Sequence, residues 1–203
     1  SPIGRNLLAA LGLGAALLGT QGQLDFTMLT RQTALSELIR PPRYPFAVDA
    51  AAARRGAELY QGHCAACHNS PENDSRLHAV EQIGTEPQRA QLFTPLQADR
   101  FNTFLAALRT PGYRPSAVSG LRSTRQYWAP SLAGVWARSP YLHNGSVPTL
   151  RDLMEPPENR PRIFFRGYDV IDQGRVGFIS SVEEAGGRRF FRYDTSVPGN
   201  ANG

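Results

Sequence analysis

The sequence predicts a mainly α-helical fold with long ordered loops and few short strands. Several segments repeat apolar residues at the spacing of an amphipathic helix. The 19 Gly and 16 Pro residues break such segments into short pieces joined by loops. At 203 residues, 41% of them hydrophobic, the chain is long enough to bury a core without disulfide cross-links.

Residues 1–48 are predicted to be an N-terminal helical extension that ends in a proline-rich strap. Residues 5–20 hold an apolar run too short to span a bilayer, and we interpret it as a buried helix rather than the apolar part of a signal peptide. A second helix is predicted over residues 26–40. It ends at Pro41-Pro42, because two prolines exclude the helical conformation and force residues 40–46 to be extended.

The main domain is predicted to occupy residues 49–203. Its helices are expected over residues 49–62, 77–83, 95–109, 131–136 and 149–154. In the last of these, Thr149 and Asp152 have the spacing of a capping box. Short strands or extended loops are expected over residues 163–165, 176–179 and 189–193.

Both cysteines of the chain lie within one motif, CAACH at positions 64–68. Two thiols at this spacing, followed directly by a histidine, are the pattern for covalent attachment of a haem. One helical turn brings both sulfurs within reach of the two vinyl groups and directs the next imidazole toward the iron. The motif therefore predicts one covalent haem c, bound by Cys64 and Cys67, with His68 as the proximal iron ligand.

Two cysteines at this spacing could also serve three other purposes: a redox-active dithiol, part of a zinc site, or a structural disulfide. A redox-active dithiol needs alternating strands and helices around it, and the flanking sequence predicts none. A zinc site needs four ligands, and His63, His78 and His143 do not fall at the spacing of a zinc finger. A single structural disulfide is the third alternative. The histidine in place after the second cysteine, and the helix predicted before the motif, favour haem.

The helix predicted over residues 49–62 places Gly56 and Tyr60 on one face, where a second helix could cross closely. In cytochromes c this partner is a C-terminal helix, and no convincing helix is predicted after residue 154. Either residues 95–109 supply the partner or the domain is truncated at its C-terminus.

The segment WAPSLAGVWARSPYLHNGSVPTL, residues 128–150, resembles the bacterial di-haem cytochrome c peroxidase superfamily. Taken with EPPENRP, FFRGYDV, RVGF and DTSVPGNANG further along, it is more closely similar to the C-terminal haem domain of the secreted rubber (latex) oxygenases. The resemblance covers about residues 40–203 and implies a mostly α-helical, cytochrome c-like haem domain. Members of this superfamily usually carry two haems, whereas this chain has a single attachment motif.

The sixth iron ligand decides between two kinds of chemistry. Two strong axial ligands suit electron transfer, whereas an open position lets peroxide or oxygen bind. Met154 and His143 are the two candidates, because they lie just after and within the HNGSVPTL segment. Filling of core space by Met154, and bracing of a loop by His143, are the alternative roles.

Three functions follow from the single motif and the resemblance. The first is electron transfer by a c-type cytochrome, within or to a larger redox enzyme, with a redox partner protein or a second haem domain. The second is a haem-dependent peroxidase or oxygenase of which this chain is one haem-bearing part. The third is a haem-stabilised structural subunit, assembled with a neighbour through residues 1–48.

Charge and cofactor chemistry bear on partners and location. The net charge is +5, and all 22 basic residues are arginines scattered along the chain, so no nucleic-acid-binding tract is predicted. No transmembrane span is predicted either. Because covalent attachment of haem takes place outside the cytoplasm, the motif predicts a periplasmic or secreted protein.

Overall fold

The computed structural model describes residues 38–69, 76–107 and 121–202, together with 31, 34 and 35; over 104–107 it describes the backbone only. The chain divides into two compact units. The first takes its described residues from 1–40 and 90–125, and the second from 41–89 and 126–203. The helix predicted over 5–20, and most of the one predicted over 26–40, lie outside the described residues.

Six α-helices lie wholly within the described ranges. They are α1 (Ala50–His63), α2 (Ala65–His68), α3 (Val80–Ile83), α4 (Gln88–Leu92), α5 (Pro95–Ala107) and α6 (Leu150–Met154). Single 3-10 turns cover Val135–Ala137 and Pro157–Asn159. None of the helices in the described part of the chain is long and apolar enough to cross a membrane.

Side-chain caps explain where two of the predicted helices begin. The Asp49 carboxylate accepts hydrogen bonds from the amides of Ala51 and Ala52, at 2.8 and 3.0 Å, and so caps α1. The Thr149 hydroxyl accepts a bond from the amide of Asp152 at 3.1 Å and caps α6. The predictions of both helices are confirmed to within one residue at each end.

The described residues also contain eight short strands. These are β1 (Leu77–Ala79), β2 (Gln126–Trp128), β3 (Ile163–Arg166), β4 (Ile171–Asp172), β5 (Gly177–Phe178), β6 (Glu184–Ala185), β7 (Arg188–Arg189) and β8 (Phe191–Asp194). They form four separate antiparallel pairs, β1 with β2, β3 with β8, β4 with β5, and β6 with β7. The segment predicted as a helix over 77–83 is split, because its first half is β1 and only its second half is helical.

The predicted mainly α fold is therefore wrong, and the fold is a mixture of short helices and small antiparallel sheets. The physical reason lies in the C-terminal region, where glycines and prolines recur so often that no helix longer than α6 can form. Aromatic and β-branched stretches between these breaks pair as strands instead. Gly186 and Gly187 form the two-residue turn between β6 and β7, with φ of +57° and +74°. Glycine adopts such positive φ angles more readily than residues that carry a side chain.

The core of the second unit surrounds residues 145–149, a segment that begins at the glycine of the HNG turn (residues 143–145). Residues 145–149 are all buried, and Val147 has no exposed surface. Phe164 of β3 and Tyr193 of β8 face each other across the strand pair, with ring centroids 5.1 Å apart, and both are buried. The core of this unit therefore lies at residues 145–149 and at the β3–β8 pair.

The proline-rich strap packs within this second unit. Residues 41–45 have no helical structure, as predicted. The indole nitrogen of Trp136 donates a hydrogen bond to the Pro42 carbonyl at 3.0 Å, and the Tyr44 ring packs edge-on against the same tryptophan. The strap therefore lies against the 3-10 turn at Val135–Ala137.

The first unit contains α5. Ala98 and Phe101 of this helix are buried, each 3% exposed. The side-chain amide of Asn102 makes two hydrogen bonds to the backbone of Leu121, one at each of its polar atoms, at 2.7 and 2.8 Å. This pair holds residue 121 against the helix.

Candidate functional site

The two cysteines flank a single helical turn at the end of α1. Cys64 ends α1 and begins α2, and the amides of Cys67 and His68 both donate to the Cys64 carbonyl, at 3.2 and 3.0 Å. Residues three apart on a helix lie on the same face, so both thiols are on one side of the turn. Each is half-buried, and they are not joined to each other.

The imidazole of His68 is held by one specific hydrogen bond. Its Nδ1 lies 2.7 Å from the carbonyl oxygen of Pro130. A carbonyl oxygen only accepts, so Nδ1 carries the proton and Nε2 is left with a free lone pair. Proteins orient metal-binding histidines in this way, with one ring nitrogen bonded to a backbone carbonyl and the other available to the metal.

A second bond ties α1 to the turn. The hydroxyl of Tyr60 donates to the side-chain oxygen of Asn69 at 2.7 Å, so that the residue after His68 is linked back to the helix that precedes the motif. The two accessible thiols and the oriented imidazole fit a covalently bound haem c. In the described ranges no three His, Cys, Asp or Glu side chains converge on a position for a metal ion.

The ribbon formed by β1 and β2 positions the Pro130 carbonyl. Leu77 pairs with Trp128, and the amide of Ala129 donates to the carbonyl of Arg76 at 2.8 Å. The backbone of β2 is thereby fixed up to the residue before Pro130. The sequence motif gave no sign of this partner, although Pro130 lies in the segment that carries the family resemblance.

Three polar side chains meet beside this ribbon. His143 Nε2 lies 2.8 Å from the Glu86 carboxylate, and these two side chains are only 19% and 10% exposed. The Tyr127 hydroxyl donates to the Glu86 backbone carbonyl at 2.6 Å and lies 3.3 Å from His143 Nδ1. The rings of Tyr127 and His143 are stacked, with centroids 5.6 Å apart.

The structure places the two candidate sixth ligands in different surroundings. Both ring nitrogens of His143 have partners, so coordination of iron by His143 requires that one of these bonds break. Met154, the last residue of α6, is 76% exposed. The Nε2 of His78 is buried and has no hydrogen-bond partner among the described residues.

Comparison with known proteins agrees with this geometry. Residues 126–165 match the protein family described as RoxA-like, cytochrome c-like. This match contains β2, Pro130 and the buried segment at residues 145–149. Residues 126–165 are therefore similar to a cytochrome c-like domain, and this family implies haem c as its cofactor. The wider resemblance to the di-haem peroxidases stays a prediction.

Two particular relatives extend the comparison. The chain is 34% identical over 197 residues to uncharacterized protein y4iM of Sinorhizobium fredii (strain NBRC 101917 / NGR234), a match that covers 86% of this chain and 43% of that protein. It is 30% identical over 218 residues to uncharacterized protein y4iJ of the same organism, with 81% and 36% covered. The chain thus spans less than half the length of these curated relatives.

Proposed function

We propose that this chain is the haem-bearing part of a c-type cytochrome that transfers electrons to or within a larger redox enzyme. A single haem is bound through thioether bonds to Cys64 and Cys67, with His68 as the proximal iron ligand. The observation that carries the proposal is the bond from His68 Nδ1 to Pro130, which leaves Nε2 free for iron. The cytochrome c-like match over residues 126–165 supports it.

Each residue of the site has a defined task. Bound haem supplies reversible one-electron chemistry at its iron. Cys64 and Cys67 hold the cofactor to one turn of helix, so that it stays bound during repeated electron transfer. The Pro130 carbonyl fixes the tautomer and the ring orientation of His68, so that Nε2 stays available to the iron. Tyr60 restrains the turn through Asn69.

The proposed partner is a redox protein or a second haem domain, and the proposed location is the periplasm or the cell exterior. Two relatives more than twice as long as the matched region have room for a further domain. Attachment of haem through CAACH takes place outside the cytoplasm, which supports the location.

Reversible reduction tests the electron-transfer proposal. The protein is produced with haem attached, reduced with dithionite and reoxidised with ferricyanide while its spectrum is recorded. Two strong axial ligands predict a low-spin spectrum in both states and one electron per chain. A purely high-spin ferric spectrum would contradict electron transfer as the main function.

The same spectrum tests the sixth ligand. Met154 is our first choice, because both ring nitrogens of His143 already have partners. Met154→Leu keeps the size of the side chain and removes the sulfur, so it should convert the low-spin form to a high-spin one. His143→Gln is the matched variant for the other candidate. A low-spin spectrum in both variants would exclude both residues as ligands.

A haem-dependent peroxidase or oxygenase is the second candidate function. The RoxA-like family match supports it, because the sequence resemblance is to the rubber oxygenases. Hydrogen peroxide with a dye donor, and oxygen with polyisoprene, are the two assays. Turnover by the isolated chain would favour this function over electron transfer.

A further inference from the structure

The stacked pair of Tyr127 and His143, together with Glu86, forms an anchor for one end of the β1–β2 ribbon. We name these three residues the ribbon anchor. Tyr127 lies on β2, His143 lies in the HNG turn, and Glu86 lies between α3 and α4. The anchor therefore joins three segments that are far apart in the sequence.

A short stretch of backbone connects the ribbon anchor to Pro130, whose carbonyl bonds to His68. Tyr127 is the middle residue of β2, paired with His78, and three residues further along the same backbone is Pro130. Between them, Ala129 is buried and its amide is bonded to Arg76. Pro130 then accepts the hydrogen bond from His68 Nδ1 at 2.7 Å.

We propose that the ribbon anchor is a positioning device for the Pro130 carbonyl and that it thereby sets the reduction potential of the haem; this rests on the proposed function. Tyr127 is its central positioning residue, because its hydroxyl contacts Glu86 and its ring contacts His143. None of the three residues needs to touch the haem. Their effect passes through the backbone of β2 to the bond on His68.

The expected direction follows from the chemistry of the proximal ligand. A strong hydrogen bond from Nδ1 to a carbonyl makes the imidazole a better electron donor and stabilises ferric iron, which lowers the potential. Loosening β2 at Tyr127 lets the Pro130 carbonyl move away from His68. The bond then weakens, and the potential rises.

Tyr127→Phe is the primary test, because it removes one hydroxyl, keeps the ring and changes no charge. In the protein with haem attached, the midpoint potential of the variant should be higher than that of the unaltered protein. NMR should show the His68 Nδ1 proton exchanging with solvent about fivefold faster, the factor that corresponds to one lost neutral hydrogen bond. A merely structural role for Tyr127 would change stability but neither of these.

The matched control is Tyr44→Phe. Its hydroxyl also donates to a backbone carbonyl, that of Gln173 at 3.3 Å, but it lies against the strap rather than the ribbon. This control should keep the original potential and the original proton exchange rate. If it shifts them as much as Tyr127→Phe does, the anchor has no special role.

His143→Gln is the second variant, used also if Tyr127→Phe does not fold. It removes the stacked ring and the bond to Glu86, and only the proton exchange rate is compared, because that rate reports the bond on His68 rather than a change of nearby charge. Faster exchange supports the anchor; an unchanged rate in the folded variants overturns it. If the unaltered protein carries no thioether-bound haem, the proposed function has failed instead.

Discussion

The turn that carries the haem motif and the segment that follows the HNG turn differ in almost every physical respect. Helix α1 has no buried residue, Leu59 is 62% exposed, and a Cβ built on Gly56 would meet no described atom within 4 Å. Residues 145–149 are all buried. The predicted haem motif thus lies at an exposed helix end, whereas residues 145–149 form the buried core and the bond to His68 comes from Pro130, just after β2.

Truncation of the core should have the largest effect on stability. Phe164 is 2% exposed, so Phe164→Ala should lower the free energy of unfolding by about 3–5 kcal/mol. The neighbouring Ile163, on the same strand but 44% exposed, is the control, and Ile163→Ala should cost clearly less. Urea denaturation measures both. Equal losses would mean that β3 is not part of the core.

Two glycine substitutions should act with opposite sign in the two regions. A Cβ on Gly177 would lie 2.8 Å from the Pro148 carbonyl oxygen, so Gly177→Ala should destabilise the protein by about 1–3 kcal/mol. Gly56→Ala in α1 should stabilise it by about 0.5–1 kcal/mol, because alanine is the better helix former and the site is open. A loss of stability from Gly56→Ala would show that the exposed face of α1 is covered in solution.

Titration of Tyr141 should make the folding stability of the protein decrease at alkaline pH. Burial raises the pKa of Tyr141 to about 12, with Arg138 opposing the shift. Between the ordinary tyrosine value of about 10 and this value, the unfolded chain releases a proton that the folded chain keeps. The stabilisation contributed by the neutral Tyr141 hydroxyl is therefore fully present below pH 10 and is lost as the pH rises toward 12.

Tyr141→Phe separates this titration from packing. The variant loses the hydroxyl bond to the Val135 carbonyl, at 3.1 Å, which should cost about 1 kcal/mol at neutral pH. It should also show a smaller fall in thermal stability between pH 10 and 12 than the unaltered protein. Identical pH profiles for the two proteins would refute the role given to Tyr141.

The most local effect is expected at the cap of α1. Asp49→Ala removes the acceptor for the amides of Ala51 and Ala52 and should destabilise the helix by about 1 kcal/mol. Hydrogen exchange should become faster in α1 and stay unchanged in β3 and β8. Asp49→Asn keeps an acceptor and serves as the control. Faster exchange throughout the second unit would mean that the two regions unfold together.

Local sequence patterns predicted the parts of the molecule whose partners are close in the chain. The cap of α6 at Thr149 depends on Asp152, three positions away. Cys64, Cys67 and His68 also lie within one helical turn of each other, and their role in haem binding stays a prediction. The strand segments near 163–165 and 189–193 were also recognised as extended.

The sequence could not show what depends on distant pairing. Pro130 bonds to a histidine 62 positions earlier, and Glu86 bonds to one 57 positions later. No periodicity encodes such distances. Strand β1 was missed for the same reason, since it pairs with β2 across a long separation, and a three-residue segment such as 77–79 looks helical when its partner is unknown.

Mass spectrometry of one tryptic peptide tests the central claim most directly. Cleavage after Arg55 and Arg76 releases residues 56–76, which contain both cysteines and His68. We expect this peptide, from denatured protein produced with haem attachment, to carry the added mass of one haem and no free thiol. Recovery of the unmodified peptide, or of one with an internal disulfide, would contradict it.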